Sequence, residues 1–561
     1  MKKSLPILAF LIALTAPLAW AEALQSEPTR ADVVVYGATP AGIAAAVAAE
    51  RAGASVIVLE HGTRIGGMMA SGLGHTDVGD NRTIGGFAAE VFHRISEKYG
   101  VDHTFYFQPH VGAQVFDEIL AATDIRLLTG HTIESVTKQG ARLTAVECTD
   151  GSRFEARAFI DATYEGDLMA LAGVRYIVGR ESRDEYQESL AGIQDVHVLD
   201  TLLDSPTAVT KFQKLIGDSS LVKPTLAGYM GMKGYLKSHQ WPMPVDGRDA
   251  NGQPLPGVSA GPTGKPGAGD HRFMAYNYRL CLTRDPAHRV AISKPERYDP
   301  KDFELLARYI EKWPGITLDK LFHVPDLPNQ TTDLNTSGPY SSDLLDGSAW
   351  AYPDAGWPER DRIADRHRTF LQGMLWFLGN DPRVPAALRE QTRAWGLDSR
   401  EFADNGHWPW QLYVRVGRRM RGEYVMTQRD VIDDLKKPDS VAIGSFLIDS
   451  HNIRRVLTPD GYVLNEGGIE IWLKQPYEIA YRSLTPKAAE CENLLVPVCM
   501  SASYVAYCTI RMEPVYMMMG QASGVAAALA AHSQTPVQAL DYEELRAALA
   551  KQGQSILKAP P

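Results

Sequence analysis

Residues 31–67, ADVVVYGATPAGIAAAVAAERAGASVIVLEHGTRIGG, decide how the rest of the chain is read. Asp32–Tyr36 is a short apolar run rich in β-branched residues, the pattern of a buried parallel strand. A glycine turn follows. Ala41–Ala52 is then almost pure alanine, a strong helix former. Ser55–Leu59 is a second buried strand, and it runs into an acid, Glu60. Strand, tight turn, helix and strand with a terminal acid make the βαβ unit that binds dinucleotides. Backbone N–H groups and a helix N-terminus meet the pyrophosphate, and the acid accepts hydrogen bonds from a ribose.

Gly37 and Gly42 hold the first and third glycine positions of the GxGxxG fingerprint, but Thr39 stands at the second. A side chain there narrows the approach to phosphate, although its hydroxyl is itself a possible phosphate donor. Pro40 suits the first helical position, where no N–H is missed, with Ala41 behind it. Beyond Glu60 the chain continues Arg64-Ile65-Gly66-Gly67. The paired glycines let backbone lie against a cofactor, and Arg64 is placed to face a phosphate; the plain alternative is a solvent loop needing positive φ.

The pattern acid, short loop, Arg-x-Gly-Gly resembles the FAD-binding domain of the glutathione-reductase and hydroxybenzoate-hydroxylase type of flavoprotein, one of the two-dinucleotide-binding-domain folds. Two more segments carry the resemblance. FIDATYEGDL (159–168) brings the chain back to the cofactor sheet at Asp161, Gly166 and Asp167, after a β-meander. That meander fits 125–158, with short strands at Arg126–Leu128, Ile133–Val136, Leu143–Cys148 and Arg153–Ala158. Asp150-Gly151 marks one hairpin turn. In 493–530, Leu494–Val498 is the expected last sheet strand. A helix from about Pro514, carrying Gly520, is expected to aim its N-terminus at the flavin ring.

Longer stretches narrow the likeness: AYNYRLCLT (275–283), LYVRVGRRM (412–420), PYEIAYRSLTPKAAECENLL (476–495) and RMEPVYMMMGQASG (511–524). They resemble a large, mostly bacterial family of FAD-dependent oxidoreductases, often encoded near carbohydrate-degradation genes. The resemblance covers most of the chain and implies FAD as cofactor. The chain departs from the family in having Tyr504 where a histidine is expected and Val416-Gly417 where a Glu-Ala pair is expected.

The expected fold is α/β. A Rossmann-like FAD-binding domain is assembled from 31–175 and 442–540, with a mixed α+β substrate domain, 176–441, inserted between them. Trp241–Asp270, rich in proline and glycine, reads as a long surface loop. The 561 residues carry a formal net charge of −10, which does not favour nucleic acid or an anionic membrane as partner. At the N-terminus, Lys2-Lys3, the apolar Leu5–Leu14 and Ala19-Trp20-Ala21 form a signal peptide with cleavage after Ala21. A periplasmic or secreted protein follows, with no stable membrane insertion after cleavage. His61 and His75 are chemically possible anchors for a covalent flavin, but noncovalent FAD is the default. Five cysteines contain no CxxC pair, which removes disulfide-reductase chemistry, and buried thiols are favoured over a Cys499–Cys508 bridge. No second strand–GxGxxG–helix offers an NAD(P)H site, and no metal site is expected.

For alcohol oxidation a base near the hydroxyl is required. His451, in DSHNIRR, is the first candidate, with His407 and Tyr504 behind it. Arg482 is a candidate for holding a polar substrate or stabilising reduced flavin. On the strand HRFMAYNYRLCLT, Tyr276 and Tyr278 share one face and Arg279 lies on the other, and all three are candidates to contact substrate. If 412–421 is helical, Arg415, Arg418 and Arg419 share a face. Their anionic company is then a substrate carboxylate, an FAD phosphate or a set of structural salt bridges. Asp361–His367 reads as a solvated helix face.

The expected function is an FAD-dependent oxidoreductase that takes hydride from a small polar molecule, carbohydrate-derived among the candidates. Oxygen, a quinone or a cytochrome would accept the electrons. The alternatives are a flavin monooxygenase or halogenase, and a non-catalytic carbohydrate-binding protein that keeps the fold.

Overall fold

The computed structural model describes residues 28–194, 243, 245–259, 264–433, 435–458 and 461–554. The expected signal peptide and part of the 241–270 loop lie outside the described residues. Among the described residues no helix is long and apolar enough to cross a membrane.

The quoted stretch folds as read: β1 (Thr29–Tyr36), helix α1 (Pro40–Arg51) and β2 (Val56–Glu60), with β1 and β2 parallel. Four more strands follow: β3 (Arg126–Thr129), β4 (Ile133–Gln139), β5 (Arg142–Cys148) and β6 (Arg153–Asp161). The sheet runs β3-β2-β1-β6-β5-β4, and Leu494–Leu495 makes its seventh strand. β3 corrects the expected meander. It pairs parallel to β2 at the far edge, so only β4, β5 and β6 form the antiparallel meander. The cause is topological: after β2 the chain makes two helices, Gly86–Tyr99 and Pro109–Ala121, and such a helical crossover returns a strand parallel.

β6 has two successive partners on one side. Its start pairs antiparallel with β5, and Phe159 and Ile160 pair parallel with Leu494 and Leu495. The C-terminal segment thereby enters the sheet beside the end of β6, and the helix Glu513–Ser533 follows it. That helix crosses α1 at very close range. A Cβ on Gly520 would stand 2.1 Å from Ala41 O, and one on Gly524 would stand 2.0 Å from Ala45 O. Alanines on α1 and glycines opposite them let the backbones meet, and α1 is buried from Pro40 to Ala49. Gly520, expected as a cofactor residue, is therefore a helix-packing residue.

The middle of the chain supplies a five-stranded antiparallel sheet, in order Arg289–Val290, Gly396–Asp398, Leu280–Thr283, Thr331–Thr336 and Phe322–His323. The helix Trp357–Asn380 belongs to the same region. Two further corrections arise here. Residues 412–418 are not helical, and Arg419–Met420 is a short strand paired with Tyr176–Ile177. Asp361–His367 is only partly solvated, because His367 is buried with Nδ1 at 2.7 Å from Ile363 O. All five cysteines are buried free thiols.

Candidate active site

A cavity of 210 Å³ lies at the carboxyl ends of β1, β2 and β6, where Gly37, Glu60 and Thr163 form part of its wall. Gly37 has φ +98°, and a Cβ there would stand 2.8 Å from Thr163 Cγ2 and 2.9 Å from Thr163 N. Any other residue would both strain the turn and collide with the segment that follows β6. Gly67, φ +46°, is crowded in the same manner by the Tyr164 hydroxyl at 2.5 Å. Glu60 is locked from two sides: Ala38 N donates to Oε2 at 2.7 Å and Gly62 N to Oε1 at 2.8 Å. Burial pushes its pKa up, and those two N–H bonds hold it down. Each oxygen keeps a lone pair for a further donor.

Thr39 differs from the sequence reading. Its hydroxyl donates to Ala162 O at 2.7 Å and accepts from Gly42 N at 3.2 Å. The proton expected for a phosphate is thus already committed, and Thr39 acts as the N-cap of α1, with Pro40 in its first turn.

The other wall comes from the middle region. The helix Trp357–Asn380 contributes Trp357, Arg360 and Asp361, and the 410–412 segment contributes Trp410. The His61 ring stacks on Trp357 with centroids 3.4 Å apart. Arg64 pairs with Asp404, and its guanidinium lies 5.8 Å from the Trp410 ring centroid. Arg360 holds Asp167 through two bonds of 2.6 and 2.8 Å. Glu165 accepts from Tyr352 Oη at 3.1 Å, and burial pushes its pKa up to about 7. A glycine turn, a locked acid, two guanidiniums and flat aromatic faces fit a dinucleotide, so Gly37, Gly67, Glu60, Arg64 and Arg360 would hold FAD here.

Asp161, Gly166, Asp167 and Gly66 support this cavity without forming its wall. Asp161 accepts from Thr163 N, Thr163 Oγ1 and Met169 N, and so fixes the turn after β6. Gly166, φ +70°, caps the short helix Asp167–Leu171. Asp167 bridges Arg360 and Arg418 and ties the cofactor segment to the middle region. Gly66 donates to Ala38 O at 2.8 Å, closing the loop against the turn.

A second cavity, of 420 Å³, shares chain segments with the first: Leu412 lines one and Tyr413 the other, Ser71 lines one and His75 the other. His451 stands on its wall. Its Nδ1 is 2.8 Å from Asp343 Oδ2, and its Nε2 is 3.7 Å from Asp449 Oδ2. Asp343 is also paired with Arg415 at 3.0 Å. A carboxylate held charged by a guanidinium can only accept, so the ring proton sits on Nδ1 and Nε2 is the basic nitrogen. Burial, with Arg415 behind, holds the pKa of His451 below the usual imidazole value despite the two carboxylates. Arg511 lines the same cavity, paired with Asp449 at 2.7 Å and with Tyr413 Oη at 3.2 Å. Arg279 lines it too, but it is engaged by Asp333 at 2.6 and 2.7 Å.

Glu513, at the head of the helix after Arg511, accepts from Tyr164 Oη at 2.6 Å, and burial pushes its pKa up to about 7. Tyr164 lines the first cavity and Arg511 the second, while Glu513 itself lines neither.

The remaining candidates fall elsewhere. Arg415 is fully buried behind His451, donating to Ala275 O at 2.5 Å and to Asp343, and it lines neither of the two cavities. Arg418 and Arg419 diverge from it, toward Asp167 and Glu181, because extended chain sends neighbouring side chains apart. Tyr276 is core, its hydroxyl donating to Val416 O at 2.5 Å, and Tyr278 packs edge-on against Trp408. His407 bonds Glu401 O at 3.0 Å and is on neither wall. Tyr504 is buried, accepting from Met274 N at 3.0 Å and meeting Ser450 Oγ at 2.9 Å, so it steadies the residue before His451. Arg482 is half-exposed against Asp439. Neither Tyr504 nor Val416-Gly417, the departures from the family, lines either cavity.

Asp343, Trp357, Arg360 and Trp410 escaped the sequence reading, and none carries a spacing signal. Arg511 sat in a quoted family stretch, immediately before the last helix, and that was its signal.

The family described as FAD dependent oxidoreductase matches residues 32–549. No curated protein matches. Among solved structures, the thioredoxin reductase of T. acidophilum is 21% identical, covering 24% of this chain and 34% of its own, with TM-score 0.17. OxyS anhydrotetracycline hydroxylase from Streptomyces rimosus is 17% identical, covering 30% of this chain and 41% of its own, with TM-score 0.22. The flavin-dependent brominase Bmp2 is 13% identical, covering 27% and 42%, with TM-score 0.22. The chain thus spans less than half the length of these structures, and scores this low carry nothing about activity.

Proposed function

This chain belongs to the FAD-dependent oxidoreductase family, and from that premise we propose that it oxidises a small polar, hydroxylated molecule in the 420 Å³ cavity, with His451 as the base. Bound FAD supplies the acceptor for a hydride. The substrate C–H gives up that hydride while its O–H proton passes to His451 Nε2, leaving a carbonyl. Asp343 keeps the ring oriented and its Nδ1 protonated, and stabilises the imidazolium that forms, as a buried carboxylate does behind a catalytic histidine. Tyr504, through Ser450, holds the strand end that carries the base.

The observation that carries this reading is His451 on a cavity wall with Nδ1 fixed by a charge-locked carboxylate. The leader sequence supports a reaction outside the cytoplasm, by a mature chain beginning at Glu22. The test is spectroscopic. Purified protein is expected to be yellow, to release FAD on denaturation, and to bleach anaerobically with a hydroxylated compound from a panel of sugars and hydroxy acids. A flavin that stays oxidised against the whole panel overturns the hydride-transfer reading.

A further inference from the structure

The wall of the 420 Å³ cavity has a definite charge pattern. Both of its guanidiniums are already engaged, Arg279 by Asp333 and Arg511 by Asp449. Asp77 and Glu470 add further acid to the lining. An entering carboxylate or phosphate would therefore meet acids without gaining an uncommitted cation, and in a half-buried site that repulsion is poorly screened. The carboxylates of the lining are hydrogen-bond acceptors. Hydroxyl groups supply donors to them without adding charge.

The rim carries a different signal. Trp472 is 64% exposed, the most exposed large apolar side chain among the described residues, and it lines the same cavity. Its position relative to His451 is set by a rigid ladder. The strands Ile448–Ser450 and Ile469–Ile471 are antiparallel, with Ile448 opposite Ile471. His451 follows the first strand and Trp472 the second, so they leave the ladder at opposite ends. Four strand positions separate them, about 13 Å at the usual rise per residue. One six-membered ring does not span that distance. The volume suits a larger guest, since cavities for whole small molecules measure roughly 300–1,000 Å³.

Resting on the oxidoreductase reading above, we propose that the substrate is an uncharged glycoside of at least two rings. The ring that reacts lies beside His451, and the next ring stacks its apolar face on the Trp472 indole. A sugar ring presents C–H groups on its faces and hydroxyls at its edge. That matches an indole platform at the rim and carboxylate acceptors in the lining. Trp472 is then a specificity residue that selects oligomers over single sugars.

The experiment is ligand-observed saturation-transfer NMR on the FAD-loaded protein, with methyl β-glucoside, cellobiose, maltose and glucuronate as probes. It compares wild type with Trp472→Ala and Trp472→Phe. Trp472 is exposed, so both variants are expected to keep the wild-type flavin content. In the wild type a disaccharide is expected to bind about tenfold tighter than methyl glucoside, the scale of one good aromatic contact, and glucuronate more weakly than either. Trp472→Ala should abolish the disaccharide advantage, with methyl glucoside unchanged, and Trp472→Phe should restore part of it. Equal disaccharide preference in wild type and Trp472→Ala overturns the proposal. So does tighter binding of glucuronate, or no binding of any neutral sugar. Neutral disaccharides that bind in this pattern yet never bleach the flavin would leave this site standing and overturn the oxidation. Bleaching by a single sugar, indifferent to Trp472, would do the reverse.

Discussion

The 210 Å³ and 420 Å³ cavities share chain segments but are assembled on opposite principles. The first takes its defining atoms from one local unit: Gly37, Glu60 and Gly67 all lie within a single strand–helix–strand excursion and its loop. Backbone conformation restricts Gly37 and Gly67 to glycine, and two backbone N–H groups fix the Glu60 carboxylate. The second cavity gathers side chains from segments far apart, with His75, Arg279, Asn335, Tyr413, His451 and Arg511 arriving from six places. No pair of them has a fixed spacing. A site made by backbone is written into sequence as a motif, whereas a site made by converging side chains is written only into tertiary structure.

The largest expected effect tests the first half of that contrast. Gly37→Val adds a β-branched side chain at φ +98°, where even a single Cβ would overlap Thr163. The protein is expected to purify without flavin, read as loss of visible absorbance, because the turn cannot close on a dinucleotide. A Gly37→Val protein with a full complement of FAD would show that the turn is not what holds it, and the contrast would collapse.

The second cavity should respond in rate and keep its cofactor. His451→Ala is expected to retain FAD while slowing anaerobic flavin reduction by about 10² to 10⁴, the usual cost of losing a positioned base. Dithionite reduction, which needs no base, should be unchanged. The wild-type pH profile has a fixed sign. Neutral imidazole is the active form, and burial together with Arg415 lowers its pKa against the pull of Asp343 and Asp449. Reduction should therefore stay level down through pH 6.5, the ordinary imidazole value, and fall only on the more acid side. A variant within threefold of wild type would make His451 structural and leave the second cavity without a base.

The sheet, α1 and the glycine turn were legible because they rest on period, glycine placement and spacing. The meander was misread at one strand. β3 has ordinary strand composition, and its partner depends on the helices that precede it, which composition does not report. Thr39 was read as a phosphate donor because a sequence shows a hydroxyl but not where its proton goes, and Ala162 O lies 123 residues away. Arg415 was grouped with Arg418 and Arg419 on the supposition of a helix, and in extended chain the three separate. Arg415 instead pairs with Asp343 behind the candidate base. His451 was chosen as a candidate from chemistry alone, since a histidine near the last cofactor segment suits proton transfer, but its Asp343 partner lay 108 residues away with nothing to flag it.

Arg482 makes the smallest expected effect and the sharpest boundary for the comparison. It precedes the last sheet strand closely in sequence, as His451 does at a greater distance, and sequence alone placed both near the chemistry. In the fold its side chain is 47% exposed and its Nε meets Asp439 Oδ2 at 2.9 Å, on neither cavity wall. An exposed ion pair of this kind contributes about 0–1 kcal/mol, because water and salt screen it and two side chains lose freedom in making it. Part of the contact survives substitution, since the Arg482 backbone N–H also donates to Asp439. Arg482→Ala is thus expected to keep full FAD, to reduce its flavin within twofold or so of the wild-type rate, and to lose no more than about 1 kcal/mol in denaturant unfolding. A tenfold slower reduction with unchanged stability would mean that a surface arginine reaches the reacting atoms. In that case the division into a backbone-built site, a converged site and an inert surface would have to be redrawn around Arg482.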